Sequence, residues 1–86
     1  MMTGAWTPFE TKISAEEMTI FNKATSQLLG VDYVPIAVST QVVAGTNYRF
    51  ICNATTVAPS QNTYGSIVDM YQDLSGNVTI TEIEKI

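Results

Sequence analysis

No histidine occurs in this chain of 86 residues. The commonest general base and the commonest metal ligand are therefore both missing, and histidine-activated nucleophiles go with them. Cysteine occurs once, at Cys52, so no intramolecular disulfide can form. A lone thiol fits a reducing compartment, and a cytoplasmic protein is expected. Positive charge is scarce: Lys12, Lys23, Arg49 and Lys85 do not cluster, and the net charge is −4. That argues against nucleic acid and against an anionic membrane surface as partners. No apolar run approaches the roughly 20 residues of a membrane-spanning helix. The N-terminus lacks the charged-then-apolar layout of a signal peptide. Metal-ligand spacing is absent, and no cofactor and no enzymatic activity are expected.

What is present reads as a folded domain. Apolar residues make up 45% of the chain and charged residues 14%, which is globular composition and not disorder. A single domain over residues 1–86 is expected. A chain of this size buries roughly 60–65% of its unfolded surface, enough for one helix on one sheet and too little for a deep cleft. Residues 1–6 (MMTGAW) read as a flexible free end. Residues 7–13 read as a short strand after Pro8, anchored by Phe9 and Ile13. Ser14-Ala15-Glu16-Glu17 is a capping box, and Met18, Phe21, Thr25 and Leu28 follow at helical spacing with Ala24 beside them. Gly30 is the natural left-handed stop, so the helix is expected over about 15–29.

Beyond Asp32 the period becomes two. Val34, Ile36, Val38 and Val42 are expected on one face, with Tyr48, Phe50, Cys52 and Ala54 on the same face of the next run. Residues 58–65 are a loop by composition, and 66–74 and 78–85 are two more strands around Ser75-Gly76-Asn77. The fold expected is α+β, with one helix packed across a curved antiparallel sheet of four to five strands. Cys52 falls on the apolar face and reads as a buried structural thiol. Asp69, Asp73, Glu82 and Glu84 read as solvated strand faces and not as an acid–base pair.

One stretch resists this plain reading. In Ser39–Phe50 (STQVVAGTNYRF) two apolar runs meet at a turn, and Val42 and Val43 stand at its tip. Gln41-Val42-Val43-Ala44-Gly45 resembles the Gln-x-Val-x-Gly signature of the cystatin family, and Thr46-Asn47-Tyr48 extends the likeness toward the stefin branch, which lacks disulfides and signal peptides. The opening Met1-Met2-Thr3-Gly4-Ala5 is similar to a stefin start, and the order of helix then hairpins agrees. In letters the resemblance covers only about a dozen residues.

The resemblance implies a cystatin-like fold and a reversible, competitive inhibitor of papain-like (cathepsin-type) cysteine proteases. Such inhibitors fill the protease cleft with a wedge of three parts: a segment around a glycine, a first hairpin and a second hairpin. It assigns protease contact to Gly4, Gln41, Val42, Val43, Ala44 and Gly45, with Met1, Met2 and Thr3 reaching subsites on one side. At the second hairpin, where many cystatins carry Pro-Trp, this chain has Asp73-Leu74, and Leu74 is the apolar contact left. Trp6 is expected to pack on the sheet edge. A monomer is expected, with a domain-swapped dimer reached by opening the first hairpin. The rival reading is a non-inhibitory cystatin-fold module that binds another protein. A third reading, an enzyme or small-ligand carrier on the same scaffold, rests on fold analogy alone.

Overall fold

The computed structural model describes residues 4–86. Helix α1 spans Ala15–Thr25 and begins at the expected capping box. The Ser14 hydroxyl accepts from the Glu17 amide at 3.1 Å, and the Glu17 carboxylate accepts from the Ser14 amide at 2.9 Å. The C-terminal end differs from the expected 29. Thr25 and Ser26 turn their hydroxyls onto the carbonyls of Phe21 and Lys23, and such side chains compete with the helical ladder. Beyond them Leu28 is half-covered and Leu29 is 93% exposed. Gly30 does adopt a left-handed φ of 89°, but it leads into the first strand, where its carbonyl accepts from Val57. Of the expected stripe Phe21 is buried, Met18, Ala24 and Thr25 are half-covered, and Leu28 falls beyond the helix. Ile20, which the expected stripe left out, is buried as well. An apolar stripe on a globular helix is broad enough to include it.

Four strands follow: β1 (Val31–Val43), β2 (Gly45–Thr56), β3 (Thr63–Gln72) and β4 (Val78–Lys85). They form an antiparallel meander in the order β1-β2-β3-β4. The α+β architecture is as expected, one helix on one antiparallel sheet. On β2 the expected face holds, with Tyr48, Phe50, Cys52 and Ala54 all buried. On β1 it does not. Pairing runs from Pro35↔Cys52 to Ala37↔Ile51, so Ile36 is an extra residue in the ladder. An inserted residue reverses the alternation on its strand. Val38 therefore joins the core opposite Phe50, while Val34 and Ile36, expected beside it, are 58% and 46% exposed. Pro35 has no N–H to give a ladder, and proline is confined to edge strands and bulges; β1 is both.

The core is centred on Phe21, Phe50, Val68 and Met70. The Phe21 and Phe50 rings meet edge to face at 4.8 Å, a favoured aromatic geometry. Cys52 is buried among them, and desolvation pushes its thiol up to about 12, so it is inert at neutral pH. The buried hydroxyls of Ser39 and Ser66 donate to the carbonyls of Thr7 and Glu84 at 2.5 and 2.8 Å, as burial of a polar group demands.

The segment before the helix corrects two expectations. Residues 7–13 form no full strand; Glu10 alone pairs with Val38, and Phe9, expected as an anchor, is 45% exposed. Residues 4–6, expected as part of a free end, are laid along β1. The amides of Gly4, Thr7 and Glu10 donate to the carbonyls of Val42, Thr40 and Val38 at 2.9–3.0 Å. Among the described residues, no helix is long and apolar enough to cross a membrane.

Candidate functional site

Strand register brings three separate segments to one end of the sheet. Val43 pairs with Gly45 across a single residue, Ala44, which forms the tip of the first hairpin. Thr46 pairs with Gln72, and Gln72 with Val78, so the β3–β4 turn lies beside that tip. On the other flank Gly4 is bonded to Val42 at 3.0 Å. Gly4, the QVVAG tip and the turn carrying Leu74 thus stand in a row, although 70 positions of sequence separate the first from the last.

Gly4 lies close against β1. A Cβ there would sit 3.0 Å from the Val42 carbonyl oxygen, and that oxygen is the acceptor for the Gly4 amide. Gln41 binds the arrangement from the side. Its amide nitrogen donates to the Gly4 carbonyl at 3.1 Å, and its amide oxygen accepts from Asn47 at 3.0 Å. One side chain therefore ties the leading segment to both strands of the hairpin.

At the tip, Val42 is 66% exposed, Ala44 is exposed and Val43 is half-buried. Gly45 adopts a φ of 105°, which side chains rarely tolerate, and a Cβ there would collide with the Gln72 carbonyl. The Tyr71 hydroxyl donates to the Ala44 carbonyl and braces the tip from β3. Nothing in the spacing of the sequence pointed to Tyr71; only the pairing of β2 with β3 brings it there.

The second turn is built around Asp73. Its carboxylate accepts from the Ser75 and Asn77 amides at 2.9 Å each and from the Asn77 side chain at 3.2 Å. The Asn77 amide above all, then the Asn77 side chain and the remaining amides, hold the carboxyl below its ordinary range. Gly76 takes the left-handed φ of 91° that closes the turn. The charge is thus satisfied locally, and Leu74 projects from the turn 84% exposed.

Trp6 is not confined to the sheet edge. It reaches across β1 to the face opposite α1, where the Arg49 guanidinium lies 4.4 Å from its ring centre. Arg49 is paired bidentately with Asp69 at 2.9 and 3.1 Å, so Asp69 is not a free carboxylate. Glu82 pairs in register with Asp69, and a hydrogen bond to Glu84 raises its carboxyl above the ordinary value. Met1, Met2 and Thr3, expected at subsites, lie outside the described residues. A groove of about 270 Å³ lies between α1 and the start of β4, lined by Leu28, Val78 and Ile80 among others. It is below the usual range for small-molecule sites, roughly 300–1,000 Å³. No protein-family model, curated protein or solved structure matches the chain.

Proposed function

We propose that this protein is a reversible, competitive inhibitor of papain-like cysteine proteases, acting in the cytoplasm. Gly4, Val42–Gly45 and Leu74 would enter the active-site cleft as one wedge. The observation that carries the reading is their alignment at one end of the sheet, with Val42 66% and Leu74 84% exposed. Large apolar side chains gathered on a rim mark a surface made for a partner. Burying the exposed parts of those two would contribute about 2–4 kcal/mol before ordering costs.

The backbone supports the same reading. Gly4 is hydrogen-bonded to Val42, Gln41 bridges Gly4 and Asn47, and Tyr71 braces Ala44. A wedge ordered before contact loses less conformational freedom on binding. The test is active-site titration of papain and a cathepsin. Inhibition at micromolar concentration or below, relieved by added substrate, is the expected result. An active protease that ignores the protein, with a different partner recovered in a pull-down, would replace this reading by the non-inhibitory binding module.

A further inference from the structure

The segment that carries Gly4 is also held on the face of the sheet opposite α1. Gly4 itself is exposed, and the described contacts that hold it are one backbone bond to Val42 and one from Gln41. Exposed hydrogen bonds of that kind contribute little net stability, because water replaces them readily. Two positions further on, Trp6 is half-buried, and its ring carries the Arg49 guanidinium at 4.4 Å.

Arg49 is itself immobilised. Its Nε and one terminal nitrogen donate to the two oxygens of Asp69, whose side chain is only 15% exposed. The edge of the planar guanidinium is spent on the carboxylate, which leaves its face for the indole. A bidentate pair adds geometric specificity to charge, so the platform under Trp6 has a defined orientation. Thr7 continues the attachment: its carbonyl accepts from the buried Ser39 hydroxyl, and its own hydroxyl accepts from the Thr40 amide at 3.0 Å.

We propose that Trp6, Arg49 and Asp69 form a clasp on the face opposite α1 that holds Gly4 against β1 before a protease arrives. These are positioning residues. The clasp rests on the inhibitor reading above, and its role is to remove the ordering cost of the N-terminal arm. Loss of the ring or of the guanidinium would free the arm while leaving both hairpins in place. A cation–π contact to a half-buried indole and the ordering cost of one side chain together correspond to about a tenfold change in affinity.

The experiment compares Trp6→Ala, Trp6→Phe, Arg49→Gln and the double variant Trp6→Ala/Arg49→Gln with the unchanged protein. Two readouts are taken: the ¹⁵N{¹H} heteronuclear NOE of the Gly4 amide in the free protein, and the inhibition constant against papain. The clasp requires that Trp6→Ala and Arg49→Gln each lower the NOE and weaken inhibition about tenfold. Trp6→Phe should restore most of both, and the double variant should be no worse than Trp6→Ala alone, since both changes break one contact. Trp6 lies outside the sheet, so Trp6→Ala remains informative if Arg49→Gln fails to fold. An unchanged NOE, or a lowered NOE with an unchanged inhibition constant, overturns the clasp and leaves the inhibitor reading standing. Absence of inhibition by the unchanged protein overturns both.

Discussion

Val42 lies on the same strand face as Val38, yet Val38 is 2% exposed and Val42 is 66% exposed. The difference is cover: Val38 joins the Phe21–Phe50 cluster beneath α1, and Val42 lies beyond it. Leaving such a residue wet gives the folded domain nothing, so substitution there should be cheap for the fold. Val42→Asp is expected to change stability by no more than about 0.5 kcal/mol, as for most surface changes. It should weaken papain inhibition by at least about tenfold, because a carboxylate would have to be desolvated in the cleft. Thermal melting and an inhibition titration of the same sample check both halves. Val43 is a less clean target, since it is already half-buried and its replacement would disturb the tip as well.

At the scale of elements, the two turns at this end are built on different devices. The first relies on Gly45 in a conformation only glycine holds easily, with Tyr71 propping it from outside. The second relies on a carboxylate that gathers the amides of its own loop. Asp73 has a depressed folded value, so its contribution is fully present above its ordinary value near 3.8 and is lost as pH falls through the lower folded value. Asp73→Ala should therefore melt below the unchanged protein at pH 7, with the gap narrowing as pH falls below about 4. Melting curves by circular dichroism across that range measure it; a gap constant with pH would mean that the carboxylate charge has no part in the turn. The same substitution leaves Leu74 in place, so any loss of inhibition would report the position of the loop and not the loss of an apolar contact.

At the scale of the whole molecule, the described residues form a long thin sheet, 48 × 25 × 22 Å, with one helix of 11 residues across it. Its two outer strands are treated differently. Toward the tip, β1 is covered by the chain from Gly4 to Glu10; toward its start, Pro35 and the bulge at Ile36 interrupt the edge. The β4 edge ends in Glu82, Glu84 and Lys85. Charges, proline and bulges all discourage pairing with another chain. The joint between β1 and β2 has no such protection, because it is the single residue Ala44. Opening there would merge β1 and β2 into one long strand and let two chains exchange halves, keeping every ladder bond outside the turn. Partial thermal unfolding at high concentration, then cooling, should yield a dimer on size-exclusion chromatography; monomer alone at every concentration would rule this out.

Short-range rules were legible in the sequence. The capping box at Ser14 and Glu17, the buried face of Tyr48 to Ala54 and the turn at Gly76 each depend on residues a few positions apart, and each stands where spacing put it. The helix end was harder to read, because Thr25 and Ser26 compete with the ladder that Leu28 and Leu29 would extend. The bulge at Ile36 could not be read at all, since alternation alone offers no sign of an inserted residue, and it moved Val34 and Ile36 off the core face. What the sequence by itself determined was one helix on an antiparallel sheet and an apolar tip at Val42 and Val43. Only the tertiary structure decided that Gly4 rests on Val42, that Tyr71 supports Ala44, and that Trp6 meets Arg49. Those contacts join residues far apart in the chain, and their existence depends on strand register, which is set by the packing of the whole sheet and by no local signal.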